Sequence, residues 1–172
     1  MFGRSKLTVS HQKKLRTLLR KTKQLAVEYY RLTGKPLGVT GEIAEYEAAD
    51  KLGLTLADAR TPFFDAFRQN GTAIERYQIK GRAVSLTDRY RGRVPKVKCD
   101  RGFEAVLLVL LDKATFNAIE IWKAKRMAVQ KRLAAPGSKS RNERGSMGIR
   151  QFRSIPGAEL VWPLPEKKNG RR

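Results

Sequence analysis

Apolar residues recur at helical spacing near the start of the chain, through Leu15, Leu18, Leu19, Leu25, Val27, Tyr29 and Tyr30, which predicts one amphipathic helix over residues 10–32. Ser10 is its expected cap, and Gly34 with Pro36 its expected stop. A second helix is expected from Thr40, as cap, to Leu52, with Gly53 ending it. From Arg60 to Ser85 the period shortens to that of a strand, and Asn70-Gly71 lies between the two runs, the signature of a hairpin. A two-residue loop at Asn70-Gly71 pairs Gln69 with Thr72, Phe67 with Ile74 and Asp65 with Arg76. Gln78 is then a diagonal neighbour of Asp65 on one face and Lys80 follows it, while Tyr77 and Ile79 point the other way with Phe64 and Ala66.

The continuous apolar run from Phe103 to Leu111 reads as a strand covered on both faces. Asp112-Lys113 turns the chain into a further strand, ATFNAIEIW, so the sheet is expected to be mixed. Lys123 to Ala134 reads as a helix with Ala124, Ala128, Val129 and Leu133 inward, ended by Pro136-Gly137, and Trp122 reads as core. Two basic stretches read as loops: one around Tyr90 with Arg89, Arg91 and Arg93, the other PGSKSRNERGSMG with Lys139, Arg141 and Arg144. A short helix and an edge strand are expected in IRQFRSIPGAELVWPL.

The 172 residues suffice for one domain of ordinary size. Residues 1–39 form a basic helical extension, 40–135 the core, 136–165 a basic loop with a C-terminal subregion, and 166–172 a disordered basic tail. The formal charge of +21, from 37 Lys and Arg against 16 Asp and Glu, is a self-repulsion that a polyanion would neutralise. It is uneven: residues 40–122 are nearly neutral and both flanks are basic. Nucleic acid is the expected partner, with phosphate contacts from Lys13, Lys14, Arg20, Lys21, Arg82, Arg89, Arg91, Arg93, Lys139, Arg141 and Arg144. Arg16 and Lys23 share the basic face of the first helix, for which a solvated surface is an equally simple account. A single cysteine, Cys99, and a single histidine, His11, exclude an internal disulfide, a Cys/His zinc site and a Cys/His dyad. With neither a signal-like run nor an apolar stretch of membrane length, the chain is expected to be soluble and cytoplasmic, with no membrane partner.

An acid, an amide and an amine converging on one face of a hairpin suit metal-assisted phosphodiester hydrolysis. Mg²⁺, or Mn²⁺ in its place, takes oxygen ligands and keeps several waters. Asp65 would supply the anionic oxygen, Gln78 a neutral one, and the Ile79 backbone carbonyl points to the same place. Lys80 would favour hydroxide and offset charge in the transition state. A second acid would come from the preceding helix, Glu42 first with Glu45 in reserve; both also suit the helix dipole without any catalytic role.

This order of an acid-bearing helix, a strand with Asp65 and a strand with Gln78-x-Lys80 resembles the PD-(D/E)xK phosphodiesterase superfamily, in the variant where glutamine replaces the acid before x-Lys, as in Mrr-like restriction enzymes. The resemblance covers residues 40 to about 135 and places Glu42, within GEIAE, at the acid many members carry on the first core helix. Phe64 stands where the motif has proline, and Gln78 removes a negative ligand. QIKGR, FEAVLLVLLD and LAAPGSKSRNERGS also resemble a group of small bacterial proteins of this expected fold that carry no assigned function. The resemblance implies a restriction-endonuclease-like α/β fold, a three-layer core with a central mixed β-sheet flanked by helices. It implies an endonuclease acting on nucleic acid, double-stranded DNA first, with a homodimer as an option for cutting both strands. The competing reading is a non-catalytic nucleic-acid-binding protein; a weaker one is an anionic-membrane binder using the first helix.

Overall fold

Ala105–Asp112 forms a strand buried at every position, as its unbroken apolar run requires, and the rest of the molecule is arranged around it. The computed structural model describes residues 9–35, 37–58, 60–99 and 102–163; Pro36 and the tail 166–172 lie outside the described residues. In chain order come α1 (Val9–Thr33), α2 (Thr40–Leu52), β1 (Thr55–Leu56), β2 (Ala66–Asn70), β3 (Ala73–Val84), β4 (Ala105–Asp112), β5 (Ala118–Lys125), α3 (Arg126–Ala134), α4 (Lys139–Asn142), α5 (Ile149–Arg153) and β6 (Glu159–Trp162). The strands form one six-stranded sheet in sequence order. Every neighbouring pair is antiparallel except β3 and β4, so the sheet is mixed and the fold is α/β.

Alternation along β4 divides the core between the two faces. Leu107, Val109 and Leu111 join Tyr77 and Ile79 beneath Ile43, Ala44 and Ala48 of α2 and Ala26 of α1. Val106, Leu108 and Leu110 pack with Val129 of α3 and with Ile149 and Phe152 of α5. Helices therefore flank the sheet on both sides. α2 spans the expected residues, but Val39 is its N-cap and Thr40 makes no side-chain cap bond. Gly53 closes it at φ 63°, a left-handed conformation glycine adopts without strain. The helix expected from Lys123 begins instead at Arg126, because residues 118–125 pair with β4 and bury Ala124 in the sheet.

The hairpin loop forms one residue further along than Asn70-Gly71, which shifts every pairing by two. Ala66 pairs with Tyr77, Phe67 with Arg76 and Asn70 with Ala73, leaving Gly71-Thr72 as the loop. Gly71 has φ 60° and no positive φ is found at Asn70, so glycine takes the first loop position, as a type II′ turn demands, and the type I′ turn that Asn-Gly favours does not form. A slip of two keeps the side-chain faces: Ala66, Tyr77 and Ile79 share one face as expected. Phe64, expected with them, packs against the opposite cluster, because the ladder ends at Ala66 and the backbone turns before it.

Lys23, counted from sequence among the phosphate-facing bases, is used internally. Its Nζ lies 2.5 Å from Glu47 Oε1 and 2.9 Å from Asn117 Oδ1, while Glu47 Oε2 accepts the Ala118 N–H at 2.8 Å. The pair ties α1 to α2 and to the start of β5, and both side chains are largely buried. Removing one partner of a buried pair strands the other charge, so Glu47→Ala is expected to cost about 3 kcal/mol, a fall in Tm of roughly 6–12 °C by calorimetry.

Candidate active site

β2 and β3 part company beside Ile79. The β2–β3 ladder ends at Ala66–Tyr77, while β3 runs on to Val84 with only β4 at its side. Asp65, the residue before the ladder, fills the resulting notch: its N–H donates to the Tyr77 carbonyl at 2.8 Å, and its Oδ2 accepts the Ile79 N–H at 2.7 Å. A backbone N–H lies in the plane of the sheet, so the Asp65 carboxylate sits in that plane and not above one face with Gln78 and Lys80, as the tight-turn register implied. In a strand the carbonyl projects to the same side as the N–H, so the Ile79 carbonyl faces the side of the notch.

The acid that faces Asp65 is Glu45. It is half-buried on α2, and its carboxyl is pushed up to about 7 by burial first, then by the Asp65 and Glu42 carboxylates, with Lys80 pulling the other way. Glu42, placed ahead of Glu45 from sequence, is exposed in the first turn and acts on the site only through its charge. One helical turn makes the difference, since Glu45 is carried inward over β3 and Glu42 stays at the solvent end.

Gly81, which the sequence reading passed over, brings α2 this close. A Cβ there would lie 2.4 Å from the Ala44 Cβ and 2.8 Å from the Thr40 carbonyl oxygen. The available signal was a glycine inside a strand directly after the candidate lysine, which often marks close backbone approach.

Gln78 is buried, and its Oε1 has no hydrogen-bond partner among the described residues. A buried acceptor left without a donor costs free energy unless a cation or water meets it. Lys80 is half-buried and lines a cleft of about 600 Å³ together with Glu45, Ile79, Gly81 and Arg82. The structure thus holds Asp65 on Ile79 at the notch and places Glu45 and Lys80 along the cleft that Ile79 lines, with Gln78 buried next to Ile79 in β3.

Among the described residues no three His, Cys, Asp or Glu side chains form a group able to hold a metal ion. The anionic donors are therefore a pair at most, Asp65 and Glu45, and any others are neutral oxygens. That set fits Mg²⁺, which needs only one or two carboxylates and keeps its waters.

The other predicted phosphate contacts divide. Lys13, Lys14, Arg20 and Lys21 are exposed along α1, and Arg82 is exposed at the cleft. Arg89 is bridged to the buried Glu120 at 3.1 Å, and Arg93 hydrogen-bonds the Ser146 hydroxyl and carbonyl. Arg91 (3.6 Å from Asp88), Lys139 (3.7 Å from Glu143) and Arg144 are exposed. Arg141 is not a surface residue: the stretch expected as a loop contains α4, and the Arg141 guanidinium is buried, donating to the Ala135 and Pro136 carbonyls at the end of α3. It closes that helix end and leaves no surface for a phosphate. Trp122 is half-buried, its Nε1 donating to Glu120 at 2.7 Å and the Arg153 guanidinium 4.6 Å from its ring.

No helix among the described residues is long and apolar enough to cross a membrane. No protein-family model and no curated protein matches this chain.

Proposed function

We propose that this chain is a divalent-metal-dependent phosphodiesterase acting on nucleic acid, DNA first, on the restriction-endonuclease-like plan. The observation that carries this reading is the Asp65 carboxylate, fixed on the Ile79 N–H where β2 and β3 diverge, with Glu45 and Lys80 beside it. Asp65, Glu45, the Ile79 carbonyl and the Gln78 amide oxygen would hold Mg²⁺ or Mn²⁺, which when bound would acidify a water and polarise the scissile phosphate. Asp65 is held by a backbone donor, so its oxygen needs no reorganisation when the reaction begins. The Lys80 ammonium favours hydroxide over water nearby and offsets the charge that gathers on the phosphoryl oxygens. Exposed bases on α1 and along the cleft supply attraction to the phosphate backbone independent of sequence.

The test is incubation of the purified protein with plasmid, linear duplex, branched and single-stranded substrates, with Mg²⁺, Mn²⁺ or EDTA. Cutting that needs a divalent ion is expected. Asp65→Ala and Lys80→Ala are expected to lose it, and Asp65→Ala to bind nucleic acid with near-native affinity. Cutting that survives Asp65→Ala sinks the proposal, and binding without cutting on every substrate leaves the non-catalytic binder as the better account.

A further inference from the structure

The cleft beside the notch has features that the hydrolytic residues do not need. Its walls come from several parts of the chain: besides Glu45 on α2 and Pro95, they include Tyr30 at the C-terminal end of α1, the stretch of β3 from Ile79 to Ala83, and Lys113 with Phe116 in the β4–β5 turn. That turn is built rigidly. Asp112, itself buried, accepts the Ala114 N–H and the Thr115 hydroxyl at 3.1 Å each, its carbonyl accepts the Phe116 N–H at 2.7 Å, and the Lys113 N–H donates to Val84 at 3.0 Å. Phe116 is buried at φ 55°, a conformation a bulky side chain adopts only when its surroundings enforce it. The strain fixes the turn that presents Lys113 at the mouth of the cleft.

On the facing strand Lys80 and Arg82 are two residues apart, so they share a face at a spacing of about 6.6 Å, close to one nucleotide step of an extended chain. Neither Arg82 nor Lys113 is in an ion pair among the described residues. Beyond Ala66 the β2-facing edge of β3 has no partner strand among the described residues; the N–H groups of Gly81 and Ala83, which alternate with those directed at β4, face the same side as the Ile79 N–H. Cations and backbone donors along an open sheet edge, with the Tyr30 ring lining the same cleft, are the parts of a single-strand channel: a positive groove tracks the phosphates and a ring accepts any base. A volume of about 600 Å³ has room for roughly one or two nucleotides, and an intact duplex is far too wide to enter.

We propose that this cleft takes one unpaired nucleic-acid strand, with Lys80, Arg82 and Lys113 on its phosphates and Tyr30 stacked on a base, so that the preferred substrates are single strands and the unpaired arms of branched DNA. This rests on the phosphodiesterase reading of the same notch. The exposed bases Lys13, Lys14, Arg20 and Lys21 on α1 extend the positive track away from Tyr30.

Binding measured by fluorescence anisotropy in EDTA separates the two ideas, because it does not depend on cutting. The wild-type protein is expected to bind a single-stranded oligonucleotide, and a duplex with a single-stranded arm, at least about tenfold tighter than a blunt duplex. Tyr30→Ala is expected to weaken single-strand binding about tenfold, and Tyr30→Phe, which keeps the ring, to retain it. Lys113→Ala, on the exposed turn, is expected to reduce the slope of log affinity against log salt by roughly one unit or a little less. Equal affinity for blunt duplex and single strand, or no change in single-strand binding with either Tyr30→Ala or Lys113→Ala, overturns the proposal. A protein that shows these preferences and never cuts with Mg²⁺ keeps the single-strand channel and loses the hydrolase; one that cuts blunt duplex internally, with Tyr30→Ala as fast as wild type, keeps the hydrolase and loses the channel.

Discussion

Gly81→Val is expected to abolish divalent-dependent cleavage, with a loss of at least about a thousandfold, and to lower Tm by roughly 6 °C or more. The first added carbon already collides with Ala44 and with the Thr40 carbonyl, and the valine methyls extend further into α2. Neither neighbour can step aside cheaply, because one is backbone in the first turn of α2 and the other is fully buried. The helix must lift, and Glu45 lifts with it, opening the gap between its carboxylate and Asp65. Misplacement by about an ångström costs on the order of a hundredfold in rate, and loss of one of two anionic ligands costs more. Gly81→Ala is the milder probe, with a smaller fall in both quantities. Wild-type cleavage by Gly81→Val would show that the approach of α2 to β3 does not set the site.

Glu45→Gln is expected to abolish cleavage as well, yet to raise the stability of the metal-free protein at pH 8. The Glu45 carboxyl is lifted from 4.5 to about 7 by burial and by the neighbouring carboxylates. Between those values the folded protein holds a proton that the unfolded chain has released, so stability falls as pH rises from about 4.5 to 7 and is level above that. An amide carries no such charge: the variant is expected to show a flatter Tm profile over this interval and a higher Tm above it. Mg²⁺ at pH 8 is expected to raise the Tm of the wild type and to do little at pH 5, where Glu45 holds its proton, and little for Asp65→Asn at either pH. Scanning calorimetry across pH, with and without Mg²⁺, reads all of these. A wild-type profile that rises with pH over this interval, or one that Glu45→Gln leaves unchanged, would remove Glu45 from the notch. Stability given up where charges are crowded together is a familiar mark of a working site.

Much of the fold was legible because its signals were local. The period of α1, the doubly covered run of β4 and the left-handed end of α2 at Gly53 each follow from a few adjacent residues. The hairpin was legible as a hairpin and its register was not, since Asn70-Gly71 and Gly71-Thr72 are both acceptable loops and the choice lies in pairings along the whole ladder. The residues of the proposed site divide along the same line. Asp65 and Lys80 were visible from spacing along two adjacent strands. The preference for Glu45 over Glu42, and the need for glycine at 81, depend on how α2 lies across β3, which neither segment encodes alone. Positive charge was the least informative signal residue by residue: Lys23 and Arg141 are spent inside the protein and Lys13 and Arg82 outside it, and a count of bases cannot separate them.

The same feature that makes β4 the centre of the molecule makes it a hazard when the molecule opens. Ala105–Leu111 is rich in valine and leucine, carries no charge and no proline, and has both edges paired only while β3 and β5 are seated against it. β3 reaches it across residues 85–104, a long closure in which the described residues include one short 3₁₀ turn, Leu86–Asp88, so this parallel pairing forms late and is readily lost. Once bared, such a segment stacks with its own kind as easily as it refolds, and Glu104, Asp112 and Lys113 at its ends stand where charged residues deter that self-association.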